Sequence, residues 1–250
     1  MKSYLQRTIP ERLDASRIAT TNGVSVPALL VLLTKKDYNA DKIAAGNALY
    51  NVAAAKVSKA IAKLGEQKAA TDHAKDSHDA VKVSFQNMAK LARTIFADDP
   101  GALGIMGLTK PMSSARADLL VDAKALFNTT EYTPAMRAAL LANEYDDSKL
   151  SSERSKIGEL EFAIQVQAQC KSAYQQAKAQ QKTALKALDK WMGRFLRVAR
   201  LAVADNPQML EHLGVIARTG PTKAQRAGRR KAAETRKKQQ PVLVSVSKAA

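Results

Sequence analysis

A chain of 250 residues with a single cysteine, Cys170, is long enough to bury a core as one or two domains and has no internal disulfide. Forty Lys and Arg against 23 Asp and Glu leave a net charge of +17, which points to polyanionic partners. The longest apolar run, 24–33, is broken by Ser25 and Pro27 and falls short of the ~20 residues a bilayer span requires, so no membrane span is expected.

The N-terminal residues MKSYLQRTIPER lack the apolar core of a signal peptide, and with one cysteine this predicts a reducing, cytoplasmic setting. A shift of 107 positions then lays residues 25–108 over 132–215 without a gap. Between Ala92 and Leu108 the two copies share seven identities in 17 positions, where average residue usage gives about one. The chain is therefore read as two copies of one unit, and any candidate site in one copy can be checked against the other.

In chain order, Pro27 and Pro134 suit the first turn of a short helix, with Thr133 as an N-cap, and that helix is expected to end near Lys36 and Asn143. Asn39 and Asp146 are the N-caps of a second helix that meets no proline until Pro100 and Pro207, which predicts nearly 60 continuous helical residues. Apolar residues recur every seven positions at both ends of that helix, as in Ile43, Tyr50, Val57 and Leu64. The pattern lapses in the polar centres, 67–79 and 171–182. Asp99-Pro100 and Asn206-Pro207 then start a third, short helix, closed by Gly107 and Gly214 in a left-handed cap. Thr-x-Pro triplets at Thr8, Thr109 and Thr219 mark the joints.

These elements predict an all-α protein, an elongated antiparallel helical bundle built from an internal duplication. Its divisions are a first helical repeat at 1–116, a second at 117–217 and a basic C-terminal tail at 218–250. The tail concentrates charge. From Arg218 to Lys238, the residues Arg218, Lys223, Arg226, Arg229, Arg230, Lys231, Arg236, Lys237 and Lys238 are opposed only by Glu234, a surplus of eight. They are the candidate residues for binding nucleic acid or another polyanion. The alternation of Val242, Val244 and Val246 leaves room for a terminal strand or a frayed end.

Local chemistry is sparse. Asp72, His73, Asp76, His78 and Asp79 are the nearest thing to a metal cluster. Yet the two histidines lie about 140° apart on a helix, and the second copy has Ala179, Gln180, Thr183, Leu185 and Lys186 there. Cys170 has no histidine near it in sequence, and no glycine-rich phosphate loop or nucleophile elbow appears. Arg93 and Arg200, each five residues before an aspartate, are read as ion-pairing residues near the ends of the long helices. No catalytic residue, metal site, cofactor or small-molecule substrate is expected. The expected function is that of a non-enzymatic scaffold that self-associates into a dimer or filament and contacts a polyanion through its tail. The alternative is a sequence-nonspecific nucleic-acid-binding protein using the same tail.

Overall fold

The structure is a computed structural model that describes residues 4–110, 116–128, 130, 132–215, 227–228 and 230–233. Helices account for the described regular structure, in the order α1 (Ile9–Ser25), α2 (Pro27–Thr34), α3 (Ala40–Ile95), α4 (Pro100–Ile105), α5 (Arg116–Leu126), α6 (Pro134–Leu141) and α7 (Asp147–Ala202), followed by a 3-10 helix at Pro207–Leu213. The all-α antiparallel bundle is thus observed, and no strand occurs among the described residues. The valine alternation at 242–246 lies outside them.

The caps follow the residue chemistry. Asn39 and Asp146 accept from the amides of Lys42 and Lys149 at 3.0 and 2.7 Å, and Thr133 accepts from Met136. Asp99 caps α4 by accepting from Ala102 at 2.9 Å, whereas Asn206 makes no side-chain cap bond and the third helix of the second copy winds as a 3-10 helix. Gly107 and Gly214 sit at φ of 72° and 67°, and the amides of Leu108 and Val215 reach back to the carbonyls of Leu103 and Leu210. Asp37 and Glu144 take the same left-handed conformation, at φ of 64° and 66°, in the corners before α3 and α7. The amides of Tyr38 and Tyr145 close these corners onto Leu33 and Leu140. With no glycine to mark them, these two corners are hidden from sequence inspection.

The offset of 107 holds in the elements themselves. α2 and α6, and likewise α3 and α7, correspond at both ends, while α4 and the final 3-10 helix correspond at their starts. The offset also appears in burial along α1 and α5, where Ala15, Ser16, Ala19 and Thr20 are buried as are Asp122, Ala123, Leu126 and Phe127, although the two sequences do not align. The sequence reading of short, long and short helix misses this fourth element of each copy. Thr8, read as part of a joint, instead opens α1, with Glu11 accepting from its amide at 2.7 Å.

Both long helices run 56 residues, about 84 Å at 1.5 Å per residue, through the polar centres without a break at Gly65. The seven-residue period does not lapse there; only its apolar character does. Ala53, Ala60, Ala74, Val81 and Met88 are buried at multiples of seven with half-buried Gln67 between them, and Leu160, Gln181, Leu188 and Phe195 continue the series in α7 with Gln167 and Tyr174. Alanine lets backbones approach closely, so the contact row persists where the large side chains stop.

The chain folds into two compact units that cut across the sequence repeats: residues 1–54 with 184–250, and residues 55–183. Each takes the start of one long helix and the end of the other, paired antiparallel. In the first unit Gly46 of α3 lies against Trp191 of α7; in the second, Lys156 of α7 meets Ser84 of α3 at 3.2 Å. The first unit's core holds Leu29, Leu33, Ile43, Leu188, Met192 and Phe195. The second is built around Val81, Phe85, Met88, Leu126, Phe127, Leu140 and Leu160. Burying one such side chain contributes roughly 1.5–3 kcal/mol.

Candidate polyanion interface

Of the nine tail residues singled out from sequence, Arg230 and Lys231 fall among the described residues, helical and exposed. Arg218, Lys223, Arg226, Arg229, Arg236, Lys237 and Lys238 lie outside them. The structure brings forward a second cationic surface, on α7 within the first unit. Lys186, Lys190, Arg194, Arg197 and Arg200 are all exposed. At 100° per residue they fall within an arc of about 120°, beside the arc of about 100° occupied by Leu185, Leu188, Met192, Phe195, Leu196 and Ala199. The core therefore fixes which way the cations face.

This helix segment contains one acidic residue, Asp189, and it is engaged elsewhere: its Oδ2 accepts from Arg12 Nη1 of α1 at 2.6 Å, with both side chains 17% exposed. None of the five cations belongs to an ion pair found among the described residues. The 107-residue offset supplies an internal control. The corresponding residues in the second unit are Asp79, Val83, Asn87, Lys90 and Arg93, two cations and one carboxylate. Arg93 is further drawn onto the carbonyls of Leu108 and Lys110 at 3.5 and 3.4 Å, not onto Asp98, which corrects the expected ion pair. The α7 face does not stand out in the sequence because its cations are spaced by helical turns, whereas those of the tail are clustered.

The aromatic residues do not join this surface. Trp191 stacks on Phe195 at a centroid distance of 4.9 Å, and Tyr38 closes the group at 5.6 Å from Phe195. Gly46 opposite leaves room for the indole, since a Cβ there would overlap its six-membered ring. This is packing, not a platform for bases.

Other candidates are accounted for locally. No group of three His, Cys, Asp or Glu suited to a metal occurs among the described residues. His78 Nδ1 lies 3.2 Å from Asp79, its neighbour in sequence, and Asp72, His73 and Asp76 are exposed. Cys170 is a half-buried residue of α7. A groove of about 470 Å³ between α5 and α7 is lined by Phe127, Arg154 and Ile157, and is crossed by the Lys124–Glu161 ion pair at 2.5 Å. Arg154 Nε there donates to the Phe127 carbonyl at 2.8 Å, holding the end of α5. The charges of this groove already answer one another.

No single helix among the described residues is long and apolar enough to cross a membrane; α1 and α2 reach that length and composition only together, across a 92° bend. Comparison with protein-family models, with curated proteins and with solved structures finds no match.

Proposed function

We propose that the chain is a non-enzymatic, cytoplasmic helical scaffold that self-associates and contacts a polyanion, its basic tail making the principal contact. The observation that carries this reading is the placement of charge. A surplus of eight between Arg218 and Lys238 follows in the sequence on a long helix that presents five more exposed cations. Concentrated charge of one sign raises the local density of a polyanion, whereas dispersed charge serves solubility.

Self-association draws its support from apolar side chains left in water on the long helices, among them Val52 and Leu201 in the first unit and Ile61 and Phe162 in the second, each at least half exposed. The deciding experiment combines light scattering with electron microscopy of the purified protein, with and without duplex DNA. A dimer or filament that compacts or bundles with DNA is the expected result. A monomer at all concentrations that ignores DNA at low salt overturns the proposal.

The second reading is a sequence-nonspecific nucleic-acid-binding protein that uses the tail and does not self-associate. The same tail charge favours it. It predicts a monomer whose affinity for DNA falls with a log–log salt slope of about −0.9 per phosphate contacted.

A further inference from the structure

We infer that the exposed face of α7 formed by Lys186, Lys190, Arg194, Arg197 and Arg200 is a second binding site, a rigid track for the phosphodiester backbone of a nucleic-acid duplex; this rests on the polyanion reading above. Three observations converge on it. The five cations project from a continuous helix whose opposite side is locked into a core, so they are held in place without an ordering cost to the backbone. The sole carboxylate of the segment is occupied by Arg12 on another helix. The equivalent face of the second unit, with the same fold and the same register, carries Asp79, Val83 and Asn87 in place of three of the cations. The charge is therefore not a requirement of the bundle.

The geometry suits a duplex. From Lys186 to Arg200 the helix rises about 21 Å, a length over which a duplex displays about 12 phosphates, one per ~1.7 Å of axis. Lysine and arginine on successive turns meet successive phosphates as point charges and forks and read no bases. Single strands are disfavoured because Trp191 and Phe195, the aromatic residues of this segment of α7, stack on one another and pack against Tyr38. An anionic membrane is disfavoured because Leu201 is the only strongly exposed large apolar residue on residues 184–202, and interfacial helices need a row of them.

The test uses the full chain and a mixed-sequence DNA duplex, read by fluorescence anisotropy across a salt series. The variant Lys186→Gln/Lys190→Gln/Arg194→Gln removes three exposed charges and keeps good helix formers. Lys59→Gln/Lys75→Gln/Lys90→Gln removes three exposed charges from the second unit at equal net charge. The α7 variant is expected to weaken binding at least tenfold at low salt and to flatten the slope by about 2.7, while the second-unit variant changes the slope by less than about 1.

Equal losses in both variants overturn the site, because net charge alone then explains binding. An unaffected α7 variant, with binding abolished by removal of residues 218–250, also overturns the site while upholding the tail. Vesicles with about 30% anionic lipid provide the remaining arm: capture by vesicles with no binding to duplex sinks the nucleic-acid assignment. Failure of the unmodified chain to bind any of these at low salt removes the polyanion reading itself.

Discussion

The two units share a register of 107 residues and yet fill it differently, most clearly where α1 and α5 lie. Arg12, Ala15, Ser16, Ala19 and Thr20 of the first unit correspond to Leu119, Asp122, Ala123, Leu126 and Phe127 of the second. The second unit buries Leu119, Leu126 and Phe127 almost completely. In the first, Arg12 and Thr20 make polar bonds in place of Leu119 and Phe127, and the small Ala19 stands in place of Leu126. Ser16 Oγ donates to the Arg12 carbonyl at 2.7 Å, leaving the Tyr4 hydroxyl to donate to Ser16 at 3.0 Å, while Arg12 pairs with Asp189. Arg12 Nε and Asp189 Oδ1 remain buried without a partner. A half-satisfied polar contact contributes less than apolar packing of the same volume. One scaffold therefore tolerates two chemistries, and the unit with the polar contact is the one that carries the cationic face.

The long-helix contact differs in the same way. Gly46 admits Trp191 in the first unit, whereas the second has Glu153 and Ser84 at those positions, bridged by Lys156 at 2.9 Å from Glu153 and 3.2 Å from Ser84. Large against small is exchanged for small against large with a polar link. Gly46→Ala, which drives a methyl into the indole, is expected to cost about 3 kcal/mol in urea unfolding. Gly158→Ala, on the same type of helix in the second unit but with open space at the added carbon, is expected to stabilise by up to about 1 kcal/mol. Equal effects of the two substitutions would show that the Trp191 contact does not distinguish the units.

Next in size is the ion pair. Arg12→Leu alone is expected to cost about 2–3 kcal/mol, below the full cost of breaking a completely buried pair because both groups keep some solvent. The double variant Arg12→Leu/Asp189→Leu, which makes the first unit resemble the second, should recover most of that loss. If the double is no more stable than the single, the polar contact is a net contributor and the two units do not differ in the way their packing suggests.

A tyrosine in each unit gives an alkaline signature. Burial pushes Tyr4 from 10.0 up to about 12 and also raises Tyr132, whose hydroxyl donates to the Leu126 carbonyl. The unfolded chain gives up these protons near pH 10 while the native state keeps them. The stabilisation is full below pH 10 and, for Tyr4, is lost as pH climbs to about 12. Urea midpoints should fall between about pH 10 and 12, and Tyr4→Phe should flatten that fall; an unchanged profile in this variant would remove Tyr4 as its source.

The smallest effect is at the corners. Asp37 and Glu144 share a left-handed conformation, but aspartate tolerates it better and is paired with Lys42. Glu144→Gly is expected to stabilise by about 1 kcal/mol and Asp37→Gly by less, measurable as a shift in melting temperature.

Much of the architecture was legible because its signals are local. Asn39, Asp99, Thr133 and Asp146 announce helix starts through their own side chains, and Gly107 and Gly214 announce an ending through their backbone freedom. The continuity of the long helices followed from the absence of proline and glycine across the second copy's centre. The α1–α5 correspondence was not legible, since Arg12 and Leu119 obey different chemistry in the same place. The α7 face was hidden for a related reason: which side of a helix faces water depends on what packs against the other side.

The sequence by itself determined the helices, their caps, their common offset and the surplus of cations, because each rests on interactions within a few residues or on a sum over the chain. Only the tertiary structure decided which half of each repeat joins which unit, that Asp189 is taken by Arg12 from 177 residues away, and that five cations of α7 share one exposed face. Those outcomes depend on contacts between segments far apart in the chain, where packing and desolvation choose among faces that helical periodicity alone leaves equivalent.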